Sequence, residues 1–223
     1  YSFNIYEDMK KKFTELGWTI TLDEVVPFQD IYDWRGIIQK IRQNPPDLIV
    51  NTDYLPANSA TFLNQFLENP TDSYMFLQYA PSVPEFVDLT KEKSTGVLYT
   101  IFSGIINAPT AERSMEFLKK FEEEYGVESG PYGINLYEEV FVYADALKKV
   151  GDPKDHIAIG KAIGETDKQI AVGRLKFDPE THLAIQGEEF FPLQVYQLWE
   201  GERVLISPER FSTGDFQTPP WLK

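Results

Sequence analysis

At 223 residues and 25.7 kDa the chain is long enough for one large domain or two small ones, and its 42% hydrophobic and 25% charged content is that of an ordinary globular protein. Its 21 basic and 35 acidic residues give a net charge of −14, which argues against non-specific binding to nucleic acid or anionic membranes, since both need a positive surface. Cysteine is absent and His156 and His182 are the only histidines, so disulfides, thiolate metal sites, thiol nucleophiles and a histidine-rich metal centre are excluded.

Tyr6, Met9, Phe13 and Leu16 recur at helical spacing, and Gly17 ends that helix. Trp18 to Val26 is rich in β-branched residues and predicts a strand. Asp33 can cap a second helix carrying Trp34, Ile37, Ile38 and Ile41, which Pro45 and Pro46 stop. Asp47 to Asn51 is a short apolar run of the kind found in buried parallel strands. A third helix is predicted over Pro56 to Leu67, with strands at Tyr74 to Leu77 and Thr95 to Ile101. Strand and helix alternate, which predicts an α/β sheet flanked by helices. The alternation opens on a helix, without the strand that should precede it.

Near Ser103 the pattern turns helical. Ala111 to Tyr125 places Leu118, Phe121 and Tyr125 on one face, and Tyr132 to Val150 places Ile134, Tyr137, Phe141, Ala144 and Leu147 on one face. One of Glu138 and Glu139 must then lie near apolar surroundings. Asp155 to Ile163 is a shorter helix. Strands return at Ile170 to Phe177, Leu193 to Trp199 and Arg203 to Ile206, with Glu200-Gly201 as a turn between the last two. The tail from Gly214 to Lys223 has no periodicity. No run of about 18 apolar residues exists, and the start lacks the basic and apolar regions of a signal peptide.

Catalytic motifs are missing. There is no phosphate loop, no glycine-rich dinucleotide fingerprint and no nucleophile elbow. His156 falls at a solvated helix start and His182 in a turn, without evident nucleophile partners. The strand ends are more informative, because ligands of open α/β sheets bind beyond the carboxyl ends of the strands. Asn51-Thr52-Asp53-Tyr54 follows one strand and Gln78-Tyr79 the next. A tyrosine offers a face for stacking and a hydroxyl for orientation, which suits a small-molecule cleft.

Several pieces in order resemble the type I periplasmic binding proteins, in particular the branched-chain amino-acid (Leu/Ile/Val) binding proteins of ABC importers. They are Tyr1-Ser2 before a helix ending Leu16-Gly17-Trp18, Phe28 to Trp34 with Ile37 to Ile41, Pro46-Asp47-Leu-Ile-Val50, Phe117 to Gly126, Tyr143-Ala-Asp-Ala-Leu-Lys-Lys-Val-Gly151, Gly173-Arg-Leu-Lys-Phe-Asp178 and Val195-Tyr-Gln-Leu-Trp-Glu-Gly201. Together they span most of residues 1–206.

The resemblance implies a clamshell of two α/β lobes with parallel sheets, in which the first half of the N-terminal lobe is missing. Residues 1–102 would be the second, C-terminal lobe, 103–168 a helical segment of the first lobe, and 169–223 the crossover back to the second lobe with the tail. The natural chain would extend upstream of Tyr1, and the helices of 103–168 would otherwise expose an apolar patch. The implied ligand contacts are Tyr1, Thr52, Tyr54, Gln78, Tyr79 and Tyr132. Many members carry an acidic residue where this chain has Gln78-Tyr79, and Asp53 is a candidate substitute. The implied role is an extracytoplasmic carrier, periplasmic or extracellular and lipid-anchored in its full form. It would capture an amino acid or related small polar molecule and deliver it to an ABC permease, without reaction, cofactor, metal or nucleic acid. The same clamshell also serves as the ligand-sensing domain of receptors and of amide-responsive regulators.

Overall fold

A computed structural model describes residues 2–27, 32–101, 104 and 106–223. In chain order the elements are α1 (Ser2–Glu15), α2 (Arg35–Gln43), β1 (Leu48–Asn51), α3 (Pro56–Leu67), β2 (Tyr74–Leu77), α4 (Pro84–Thr90), β3 (Leu98–Ile101), α5 (Glu112–Tyr125), α6 (Gly130–Val150), α7 (His156–Gly164), β4 (Asp167–Ile170), β5 (Gly173–Lys176), β6 (Gln194–Trp199) and β7 (Glu202–Ser207). They divide between two compact units. One comprises Tyr1–Thr100, Tyr196–Val204 and Asp215–Lys223, the other Ile101–Val195 and Leu205–Gly214.

The first unit is organised on a sheet of order β1-β2-β3-β6-β7. β1 and β2 are parallel, with Leu48 opposite Tyr74 and Asn51 opposite Leu77, and β2 and β3 are parallel as well. These strands are short and apolar because helices cover them. Ile49, Met75, Leu77 and Tyr99 are buried with Ile38 and Ile41 of α2, Leu63 and Phe66 of α3 and Phe86 of α4. Each such side chain contributes about 1.5–3 kcal/mol on burial. Trp34 is fixed ahead of α2 by two hydrogen bonds, its backbone N–H to Gln65 Oε1 at 2.9 Å and its indole N–H to the Asn58 carbonyl at 3.0 Å. The N-cap position of α2 falls on Trp34, which makes no side-chain cap bond, and not on Asp33 as expected; Asp33 lies one residue outside and accepts from the Arg35 N–H at 3.2 Å. β6 turns into β7 at Glu200-Gly201, where both residues have positive φ, the geometry of a type I′ hairpin turn.

The aperiodic tail is firmly held. Trp221 is buried, its indole N–H donates to the Ser73 carbonyl at 2.9 Å, and its ring meets Phe66 edge-on. The Gln197 amide donates to the Gln217 carbonyl at 2.8 Å and accepts from the Gln217 N–H at 2.9 Å. Pro219 lies so close to Gly96 that a Cβ there would come within 2.7 Å of the proline ring, so only glycine fits.

The predicted strand Trp18 to Val26 is not formed. Residues 18–27 carry no regular hydrogen bonding and are mostly exposed. They are held by side chains, with Asp23 bonded to Lys10 and to Tyr6 and Glu24 to Lys40 at 2.6 Å. β-branched content gives a segment the propensity for a strand, but a strand also needs an edge to bond to, and the sheet does not reach this one.

In the second unit α5, α6 and α7 pack with the antiparallel hairpin of β4 and β5. The predicted single strand from Ile170 to Phe177 is thus two, reversing at Ala171-Val172. Gly173, with φ +132°, sits against the Phe190 carbonyl where a side chain would clash. The core holds Ile134, Val142, Ile170, Val172, Leu175 and Phe191, with Phe117 and Leu118 packed on it. The buried line of α6 is Ile134, Glu138, Val142 and Ala146, rotated from the predicted face, and Tyr137 and Phe141 are partly exposed. Glu138 can lie on this face because its carboxylate is fully partnered there, accepting from the Arg113 Nε and Nη2 at 2.6 and 2.8 Å and from the Ala171 N–H at 2.8 Å. Tyr132, Leu136, Val140 and Tyr143 form an exposed stripe on α6, within the segment expected to bare apolar surface.

Candidate functional site

The carboxyl ends of β1 and β2 bring the candidate residues together in the first unit. β1 runs into Asn51-Thr52-Asp53-Tyr54 and β2 into Gln78-Tyr79, and the two turns are tied by the Gln78 N–H donating to the Asn51 carbonyl at 3.0 Å. The first turn is pinned by its own side chains. Asn51 Oδ1 accepts from the Asp53 N–H at 2.9 Å, and Asp53 Oδ1 accepts from the Leu55 N–H at 2.9 Å. Two successive Asx turns thus lead into α3, where Pro56 is the first helical residue. The Ser59 hydroxyl donates to the Asp53 carbonyl and closes the connection.

This pinning fixes where the functional groups sit. Thr52 and Tyr54 line a cavity of about 840 Å³, together with Asn51, Asp53 and residues of α1, α2 and 18–27. Tyr54 is 38% exposed, so its ring is open to a ligand. Asn51 Nδ2 is buried without a hydrogen-bond partner among the described residues. A buried amide donor in that state is costly and is relieved by any acceptor that reaches it. Asp53 is half-buried, and desolvation holds its carboxyl above the usual carboxylate range, partly offset by hydrogen bonds from the Leu55 N–H and the Asn58 side chain. Gln78 is buried beside this edge, and Tyr79 precedes the 3-10 turn Ala80–Ser82, in which the Ser82 hydroxyl is likewise buried without a partner among the described residues.

Thr52, Tyr54, Gln78 and Tyr79 are therefore neighbours at one sheet edge. Tyr132 lies in the second unit, on the exposed stripe of α6. Tyr1, and Phe28 of the resemblance, lie outside the described residues. Asn51 and Ser82 are additional candidates. Asn51 stood in the predicted turn, but nothing in its spacing marks an unsatisfied amide, and Ser82 carries no signal in sequence. Among the described residues, no group of three or more His, Asp or Glu side chains is placed to hold a metal ion, and no helix is long and apolar enough to cross a membrane. His156 and His182 are exposed.

The sequence matches the periplasmic binding protein family over residues 2–197. The chain belongs to that family. Among solved structures it is similar to a Silicibacter pomeroyi protein described as a branched-chain amino acid ABC transporter, with 28% identity over 93% of this chain and 55% of that one and a TM-score of 0.78. A leucine-binding protein from Thermotoga maritima matches with 22% identity over 89% of this chain and 54% of that one, at a TM-score of 0.72. An ABC transporter solute-binding protein from Rhodopseudomonas palustris, solved with benzoate, matches with 14% identity over 88% and 52%, at a TM-score of 0.73. The last two likenesses establish the fold alone. Among curated proteins none matches. The chain spans about half the length of the solved structures it resembles.

Proposed function

We propose that the chain is a large part of an extracytoplasmic solute-binding protein that holds a small polar molecule between two lobes and passes it to an ABC importer. Residues 1–102 would build the second lobe, 103–168 would contribute helices to the first, and 169–223 would return to the second. The carrying observation is the pair of strand-end turns, Asn51–Tyr54 and Gln78–Tyr79, gathered at the carboxyl edge of a parallel sheet in a chain of this family. That edge is where open α/β sheets bind ligands.

The chemistry at this edge supports a ligand with an apolar or aromatic body and several polar groups. Tyr54 supplies a stacking face, Thr52 a hydroxyl, Asn51 Nδ2 an unused donor, and Asp53 the acidic group absent from Gln78-Tyr79. A ligand ammonium beside Asp53 would favour its charged form and offset its desolvation. Apolar amino acids are the leading class, followed by amides and aromatic acids. Capture would proceed by population shift, the ligand binding the closed arrangement better than the open one. In the full-length protein a lipid anchor would keep the carrier beside its permease.

The test is titration calorimetry of the full-length protein with leucine, isoleucine, valine, small amides and aromatic acids. One class is expected to bind, and Tyr54→Ala with Tyr79→Ala should weaken it at least tenfold. Unchanged affinity in the double variant would move the site elsewhere. No binding by any class would remove the carrier reading.

A further inference from the structure

The turn that follows β2 ends on a carbonyl that its own backbone does not serve. In Ala80–Ser82 the Ser82 N–H donates to the Tyr79 carbonyl at 2.8 Å and the Val83 N–H to the Ala80 carbonyl at 3.3 Å. The next donor in that series, for the Pro81 carbonyl, falls on Pro84, which has no N–H. Pro84 also favours the extended conformation of Val83, at φ −98° and ψ 144°, so the winding stops there. Pro81 is buried, and a buried carbonyl needs a donor.

Arg203 of β7 supplies that donor. Its Nη1 donates to the Pro81 carbonyl and, at 3.0 Å, to the Tyr99 hydroxyl. One guanidinium nitrogen carries two N–H groups, so each acceptor has its own. The guanidinium carbon stands 5.7 Å from the centre of the Tyr99 ring, close enough for a cation–π contact. That ring stacks in turn on Tyr196, with centres 5.2 Å apart and 14° between the planes. Tyr99 and Tyr196 are fully buried, so the guanidinium rests on a fixed platform. All of these residues belong to the first unit. The contact joins β7 to a turn that follows β2, three strands away in the sheet order and 122 residues away in sequence. Among the described residues the Ser82 hydroxyl makes no bond, so the turn's own serine does not take this part.

We propose that Arg203 is a positioning residue for the solute site, holding the turn after β2 by its Pro81 carbonyl and so fixing Tyr79. The link from Pro81 to Tyr79 is short. The Tyr79 carbonyl accepts the bond that closes the turn, so a turn that shifts takes the Tyr79 backbone and its ring along. This inference rests on the reading of Tyr79 as a solute contact and deepens it. With the turn held in advance, binding does not also have to order it, which favours affinity. Arginine suits the task better than lysine. Its planar group lies over Tyr99 and aims two donors from one nitrogen, whereas an ammonium has donors but no plane to stack.

The experiment places Arg203→Gln and Arg203→Lys in the full-length protein and first follows amide hydrogen exchange without solute. Exchange at Ser82 and Val83 is expected to be at least about tenfold faster in Arg203→Gln than in the parent. Arg203→Lys, which keeps a cation and a donor, should fall between the two. The Ile38 and Tyr74 amides, bonded to the Trp34 and Asp47 carbonyls, should keep their rates. Equal acceleration at those two amides would make Arg203 a general stabiliser and overturn the proposal, as would unchanged exchange at Ser82. The second arm is calorimetry with L-leucine. Arg203→Gln should weaken binding about tenfold in the parent, and less than about twofold where Tyr79→Ala is already present. Equal losses in both backgrounds would mean that Arg203 acts by a route other than Tyr79, and would overturn the proposal. If Arg203→Gln does not fold, Tyr99→Phe takes its place in both arms, since it removes only the hydroxyl that orients the guanidinium. If the parent binds another solute of the calorimetric panel and not leucine, that solute becomes the probe. A parent that binds none of them removes the carrier reading and Arg203's part in it, whereas local exchange at Ser82 still reports the hold on the turn.

Discussion

Removing Arg113 tests how the second unit is held together. The Glu138 side chain is only 2% exposed and bonds both to the Arg113 guanidinium and to the Ala171 N–H, so one carboxylate joins α5, α6 and the reversal between β4 and β5. Arg113→Ala leaves that carboxylate buried with a single N–H. Breaking a buried pair from one side costs about 3–5 kcal/mol, but the Arg113 side chain is 46% exposed, so water shares the load. The expected loss is about 2–3 kcal/mol. Glu138→Gln keeps an oxygen for Ala171 and loses the charge, and should cost about 1–2 kcal/mol. Because both changes remove the same interaction, the double variant should fall short of the sum by about 1 kcal/mol or more. Urea unfolding of the four proteins measures this directly. A loss below about 1 kcal/mol for Arg113→Ala, or strict additivity, would reduce the pair to an ordinary surface bridge and refute the reasoning.

Trp221→Ala should cost about 3 kcal/mol in urea unfolding, since it empties a buried ring site and strands the Ser73 carbonyl. Gly96→Ala should destabilise by a comparable route, through the Pro219 ring and through its positive φ of +97°, and loss of the tail should relieve only the first part. Asp53→Asn preserves an oxygen for the Leu55 N–H and removes a desolvated charge. Because burial raises the folded-state pKa of Asp53, its ionised form costs stability above that pKa, and the cost disappears as pH falls below the unfolded value. The variant should therefore be no less stable than the parent at pH 7, and the two should diverge less in acid, as pH-dependent unfolding midpoints would record. Leu136→Gln with Val140→Lys, both on the exposed stripe of α6, should change stability by less than about 0.5 kcal/mol and reduce self-association measured by light scattering.

Much of the local structure was legible because it is written in local rules. The helix from Pro56 to Leu67 and the strand from Tyr74 to Leu77 stand where periodicity and punctuation put them, and the short helix predicted over Asp155 to Ile163 forms as α7, with Asp155 as its cap rather than its first residue. The Glu138–Glu139 pair had to place one carboxylate near apolar surroundings, and Glu138 is buried. The strand-end turns were recognisable as well, since Asn, Asp and Tyr after a short apolar run follow from the geometry of α/β sheets.

Tertiary structure decided the rest. Whether Trp18 to Val26 becomes a strand depends on a neighbour and not on its own residues. That Glu138 can lie on the buried face of α6 depends on Arg113, 25 residues away, and on the Ala171 N–H, 33 residues away. The tail has no pattern of its own, yet Trp221 and Pro219 are fixed by Ser73 and Gly96 across the sequence. The unsatisfied Asn51 amide and the cavity beside β1 are likewise properties of what surrounds them. Sequence alone determined each element's propensity and the chemistry it carries, because these reside in neighbouring residues. Pairing, facing and satisfaction of buried polar groups belong to the packed chain, because each requires a partner that only the fold brings near.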